Sequence, residues 1–139
     1  MFSWGAGNYG ALGFGSRQDI QFPRELKIIN SDIKITKVVC GRLHSMCKTT
    51  REWVYSWGCG LNGRLGHGDS EDILEPKEIQ LLTNAKVIDF SAGESHSAAI
   101  SRNQKLFTWG NGVYGRLGHG FDSTETKPRI VEDLQENVI

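Results

Sequence analysis

No run of the 139 residues approaches the roughly 20 consecutive apolar side chains needed to span a bilayer. The opening Met1-Phe2-Ser3-Trp4-Gly5 also lacks the basic and then apolar stretches of a signal peptide. These absences make the expected protein soluble and intracellular, cytoplasmic or nuclear, with no membrane partner. Cysteine is scarce: Cys40, Cys47 and Cys59 are odd in number and form no dense framework, which suits free thiols in a reducing compartment. Neither sign of charge is in excess, since sixteen Lys and Arg offset sixteen Asp and Glu. There is therefore no long-range positive field to gather nucleic acid. No segment shows a sustained helical stripe.

What the chain does have is a repeat. Phe2-Ser-Trp-Gly-Ala-Gly-Asn-Tyr-Gly-Ala-Leu-Gly-Phe-Gly15 returns as Tyr55-Ser-Trp-Gly-Cys-Gly-Leu-Asn-Gly-Arg-Leu-Gly-His-Gly68 and as Phe107-Thr-Trp-Gly-Asn-Gly-Val-Tyr-Gly-Arg-Leu-Gly-His-Gly120. Trp4, Trp57 and Trp109 mark steps of 53 and 52 residues. The block Gly41-Arg-Leu-His44-Ser45 returns as Gly93-Glu-Ser-His96-Ser97, and Pro23, Pro76 and Pro128 keep the same register. Fifteen of the seventeen glycines lie in the three long blocks, and the other two are Gly41 and Gly93. Glycine recurring in register means that one tight backbone path is drawn three times.

Between the glycine blocks lie short runs with strand character: Lys37–Cys40, His44–Lys48 and Trp53–Trp57, then Val87–Ser91, His96–Ile100 and Leu106–Trp109. The predicted fold is all-β. A multi-stranded unit of about 50 residues suits a propeller blade, a small sheet that buries its faces only by stacking on neighbours. Val54 and Leu106, Val38 and Phe90, and Leu65 and Leu117 are the pairs expected to fill the space between blades. The chain reads as a single arc over residues 1–139, with approximate periods 1–53, 54–105 and an incomplete 106–139. That is about two and two-thirds blades of four-stranded antiparallel sheet.

The aromatic-Ser/Thr-Trp-Gly strand, the Gly-x-x-Gly-x-Leu-Gly-x-Gly turn, the lone proline and Gly-x-x-His-Ser together resemble the regulator of chromosome condensation repeat. The resemblance covers essentially the whole chain and implies a seven-bladed propeller. Family members include a nucleotide exchange factor for the small GTPase Ran, propeller modules of giant ubiquitin ligases, and a plant ultraviolet-B photoreceptor. Because seven repeats need about 350 residues on this period, the sequence reads as an arc of a longer propeller. Its remaining blades are expected from a longer parent chain or from a second copy. The photoreceptor role relies on a tryptophan in Gly-Trp-Arg-His. Here those places read Gly41-Arg-Leu-His44 and Gly93-Glu-Ser-His96, which removes that reading.

Several motifs invite chemistry and do not sustain it. Gly5-x-Gly7-x-x-Gly10 spells a dinucleotide fingerprint, but no helix follows to hold a pyrophosphate. Cys40, His44 and Cys47 look like metal ligands, yet the next copy keeps only His96 and puts Ala92 and Ala99 in the cysteine positions. His44 and His96 are therefore expected to hydrogen-bond a neighbouring backbone, and His67 and His119 to be packing or turn residues. The acidic clusters Asp69–Asp72 and Glu132–Glu136 fit solvated loops. Neither a catalytic arrangement nor a cofactor is indicated. The expected role is recognition of a protein partner through the loops Ser16–Gln21, Asp69–Leu74 and Phe121–Thr126. The candidate contact residues are Arg64, Asp69, Glu71, Asp72, Arg116 and Asp122. Exchange on a Ran-like GTPase, as part of a complete propeller, is the first alternative. Substrate binding within a larger ubiquitin ligase is the second.

Overall fold

The computed structural model describes residues 1–28 and 32–134. Ten strands form three antiparallel sheets. β1 (Phe2–Gly5) and β2 (Ile20–Glu25) make a two-stranded half-blade. β3 (Ile35–Cys40), β4 (His44–Thr49), β5 (Val54–Gly58) and β6 (Ile73–Glu78) make a complete blade, each strand beside the next. β7 (Val87–Ala92), β8 (His96–Ser101), β9 (Leu106–Gly110) and β10 (Glu125–Ile130) repeat that meander. The arc is thus laid out as one half-blade and two full blades. Each four-stranded sheet also straddles two sequence periods, because the Trp-Gly strand that opens a period is the third strand of a blade.

Two features of the repeat follow from backbone geometry. Gly58 sits at φ 106° where the β5–β6 register shifts between Ser56 and Gly58, and Gly5 and Gly110 hold φ 106° and 104° at the same place. Only glycine accepts that conformation without strain. Pro76 and Pro128 lie in β6 and β10, and Pro23 in β2, which are the edge strands of their sheets. At a sheet edge the missing N–H removes no ladder bond. Gly60 is needed for space, since a Cβ there would lie 1.8 Å from the Glu71 carbonyl oxygen. Gly60→Ala is therefore expected to cost about 1–3 kcal/mol by overpacking, read as a lower urea midpoint.

Alternation along the strands gives each blade two faces. Cys47 pairs with Val38 and with Tyr55, so the three share the face turned to the half-blade. There Leu26, Cys47, Tyr55 and Trp57 form one buried cluster. The opposite face carries Met46 and Val54, which pack with Ile79, Leu82, Val87, Phe90, Ala99 and Trp109 between the two full blades. β5 has neighbours on both faces and is buried throughout.

The expectation that Val38 fills an inter-blade space is corrected: it is 44% exposed, while its counterpart Phe90 is 4% exposed. The two strands of the half-blade lie against Tyr55 and Trp57, and of β3 only Ile35 packs on that cluster among the described residues. A cleft of about 780 Å³ lined by Met1, Leu26, Ile35 and Val38 lies along β3. Leu65 and Leu117 are buried, and Leu106 is partly covered.

Candidate protein-interaction surface

Strand direction sorts the connections to two ends of the arc. One end carries the turns 41–43 and 93–95 together with the long glycine-rich loops 6–19, 59–72 and 111–124. This loop end is held by bonds that recur from blade to blade. Trp57 Nε1 and Ser45 Oγ both donate to the Ala11 carbonyl, at 2.9 and 3.0 Å. Trp109 Nε1 and Ser97 Oγ both donate to the Arg64 carbonyl, each at 2.9 Å. The tryptophan and serine of one blade thus tie down the loop of the preceding blade. Within each blade, the Ser56 hydroxyl donates to Leu65 O at 2.7 Å and the Thr108 hydroxyl to Leu117 O at 2.6 Å.

These bonds define the state of the histidines. Ser97 uses its one proton on the Arg64 carbonyl, so His44 Nε2, 2.9 Å away, must donate to the Ser97 oxygen. The expected bond from His44 to backbone is therefore corrected: its partner is a hydroxyl of the next blade. His44 is 1% exposed, and burial, then Arg64, then His96 lower its pKa to about 4. It stands as the neutral imidazole at neutral pH. His67 Nε2 lies 2.9 Å from Ser56 Oγ, and its pKa is also lowered to about 4, by burial and then by Lys77. His119 repeats the contact on Thr108 at 3.0 Å. The three thiols are free, and burial pushes Cys47 up to about 12, far from a reactive thiolate.

The candidate contact residues separate into two groups. Arg64 is 4% exposed and donates to Leu61 O and Glu94 O, both at 2.9 Å. Its assignment to a partner is corrected, because its guanidinium is built into the seam between the full blades. Arg116, its counterpart, donates to Val113 O at 2.9 Å and Ser95 Oγ at 3.1 Å and remains exposed. Asp72 accepts from Gly60 N at 3.0 Å and meets Arg17 at 3.2 Å, so it closes its loop. Asp69 accepts from Glu71 N at 3.0 Å. Asp69, Glu71 and Asp122 all face solvent. Glu132 and Asp133 lie in a terminal turn away from these loops, and Glu136 lies outside the described residues.

Sequence reasoning missed the ion pairs that run between blades at one register. Lys37 pairs with Asp89 and Arg42 with Glu94, each exactly one period apart. It also missed the exposed apolar residues Tyr9, Leu61, Val113 and Tyr114 at the loop tips. The available signal was the residue pair between the second and third turn glycines, which holds at least one apolar side chain in each copy.

Antiparallel blades joined by a repeated Trp-to-carbonyl tie, with no helix among the described residues long and apolar enough to cross a membrane, define a propeller assembled from an internal repeat. The chain belongs to the regulator of chromosome condensation (RCC1) repeat family, whose profile matches residues 1–47, 53–100 and 103–139. It is 39% identical over 131 residues to the ultraviolet-B receptor UVR8 of Arabidopsis thaliana, covering 94% of this chain and 30% of that protein. It is 38% identical over 136 residues to the human E3 ubiquitin-protein ligase HERC2, covering 96% of this chain and 3% of the ligase. Among solved structures, yeast RCC1 (Prp20) bound to Kap60 superposes with a TM-score of 0.83 at 22% identity, over 94% of this chain and 32% of that one. Human WBSCR16 gives 0.80 at 29% identity, over 93% and 34%. The chain thus spans about a third or less of the relatives it matches.

Proposed function

We propose that these blades form part of a non-catalytic, protein-binding propeller that receives its partner at the loop end, inside the cell. The observation that carries this reading is the contrast within the loops. Their backbones are tied across blades through Ala11 O and Arg64 O, while Asp69, Glu71, Arg116 and Asp122 project from them into solvent. A rigid frame with variable exposed side chains meets little ordering cost on binding. Further blades, from the same chain or another, are its other partner.

A second reading is nucleotide exchange on a Ran-like small GTPase within a complete propeller. It is supported by the likeness to Saccharomyces cerevisiae Prp20p, characterised for its binding to Gsp1p and histones, with a TM-score of 0.82 at 23% identity over 94% of this chain. A third, supported by HERC2 and by the probable E3 ligase HERC4, 33% identical over all of this chain, is substrate binding for a ubiquitin ligase.

The test compares crosslinked partners of the parent protein with those of two variants. One carries Asp69→Asn, Glu71→Gln, Arg116→Gln and Asp122→Asn at the loop end; the other carries Lys34→Gln and Lys86→Gln at the opposite end. Partners lost only in the first variant, with unchanged thermal stability, are the expected result. Partners retained by the first and lost by the second would sink the loop-end assignment. Release of labelled guanine nucleotide from a Ran-like GTPase separates exchange from simple binding.

A further inference from the structure

The tip of each glycine-rich loop exposes at least one large apolar side chain, at the first or the second of two adjacent positions. Asn8-Tyr9-Gly10, Leu61-Asn62-Gly63 and Val113-Tyr114-Gly115 are register equivalents. Leu61 is 58% exposed, Tyr9 42%, Val113 40% and Tyr114 89%. A following blade does not cover these positions. Gly63 abuts Thr126 of β10, and Gly10 abuts Leu74 of β6, so the first two tips already have their neighbour in place. Leu61 and Tyr9 remain exposed all the same. The exposure of Val113 and Tyr114 is therefore a property of the register, reproduced from two tips whose next blade is present.

The backbone gives an independent mark. The middle residue of each tip is left-handed: Tyr9 at φ 59°, Asn62 at 62° and Tyr114 at 63°. Asparagine accepts this region readily, whereas a bulky aromatic side chain there is an outlier. Two of the three tips hold a tyrosine in a conformation that disfavours it, Tyr9 partly exposed and Tyr114 almost wholly so. Neither packing nor local geometry accounts for that choice, and strained residues of this kind concentrate at binding sites. Tyrosine beside arginine is the composition of interface hot spots, and the Arg116 guanidinium lies 5.9 Å from the Tyr114 ring centre.

Charge around the ridge selects the partner. Each tip lies against the acidic end of its own loop: Gly7 against Gln18, next to Asp19; Gly60 against Glu71; Gly112 against Ser123, next to Asp122. Among the described residues, Asp19, Asp69, Glu71 and Asp122 are exposed and in no ion pair. The cations of this end are committed elsewhere: Arg17 to Asp72, Arg42 to Glu94, and Arg64 to the buried seam. Among the described residues of these loops and turns, Arg116 alone is both exposed and free of a carboxylate, while Lys127 of β10, set against Gly68, is a second exposed cation in no ion pair.

We infer that the tips Tyr9, Leu61 and Val113-Tyr114 form an apolar ridge flanked by carboxylates, which docks a protein segment carrying apolar side chains among lysines and arginines. This rests on the loop end being the interaction surface and adds the chemistry of what it takes.

The test uses the 139-residue chain and three labelled short peptides, Lys/Leu, Glu/Leu and Lys/Ser, read by fluorescence anisotropy. Saturable binding of the Lys/Leu peptide, with the other two weaker by about tenfold or more, is the expected result. The variant Tyr9→Asn, Leu61→Asn, Tyr114→Asn is expected to weaken that binding about tenfold, with a melting temperature equal to or above that of the parent. Asn62 already holds the same conformation, so the fold is preserved. Amide shifts induced by the peptide should centre on residues 8–10, 61–63 and 113–116. Equal binding of the Glu/Leu peptide, or full binding by the asparagine variant, overturns the ridge. If the crosslinked partners also prove insensitive to the four loop-end charge substitutions, the interaction reading falls too. If they are sensitive, it stands without the ridge.

Discussion

Replacing Trp109 by alanine is expected to remove about 3–5 kcal/mol of stability, a range set by large-to-small changes at fully buried aromatic sites. Trp109 is 0% exposed, lies in the cluster between the two full blades, and gives its indole N–H to Arg64 O. The truncation opens a cavity and removes one of the two donors to that carbonyl. A domain of this size commonly holds about 5–15 kcal/mol in total, so the variant should unfold at a much lower urea concentration. Trp4→Ala, at the same register position, should cost less than about 1 kcal/mol, because Trp4 is 57% exposed and lies outside both buried clusters of the described residues. Urea denaturation of both variants checks the pair. Equal losses would mean that the tryptophan serves its own blade and not the seam.

Acidification should act through His44. Its pKa in the folded chain is about 4 against 6.5 for a free imidazole. Between these values the unfolded chain binds a proton that the folded chain refuses, so stability falls as pH falls. The contribution is complete above about pH 6.5 and is lost progressively towards pH 4. The interval corresponds to roughly 3 kcal/mol for this one residue. His67 adds in the same direction and over the same window. The structural reason is the proton count at Ser97: a charged His44 would place a second N–H in a buried seam where Nδ1 has no acceptor. Free energies of unfolding measured from pH 7 to pH 4 should show this decline, and His44→Gln should flatten it. A parent profile that is level over that range would mean that the ring is charged in the seam.

Much of the fold is legible in the chain itself. The turn Gly58-x-Gly60-x-x-Gly63 requires glycine for backbone conformation at Gly58 and for lack of space at Gly60, and both needs are local, so they recur visibly in each copy. The strands before and after it follow from alternation and from the edge prolines. Arg64 and Arg116 show where legibility stops. They occupy the same register and read alike, yet one is sealed into a seam and the other reaches solvent. The difference lies in which blade stands next to each, and nothing in the local sequence carries it. Val38 and Phe90 differ for the same reason.

The candidate surface was legible in part. Its loops stand out as variable polar stretches between glycine blocks, and Asp69, Glu71, Arg116 and Asp122 do face solvent. The apolar tips did not stand out, because an apolar residue inside a turn motif reads as buried until the loop is placed. His44 was recognised as serving the repeat, while its partner Ser97 lies 53 residues away and meets it only across the seam.

What the sequence by itself determined is the period, the all-β character and the turn geometry, since each follows from backbone demands that act within a few residues. Tertiary structure alone decided which member of each equivalent set is buried, charged or exposed. That depends on the face of a neighbouring blade, and burial, the desolvation of His44 and the donors to Arg64 O all arise only when two blades are brought together.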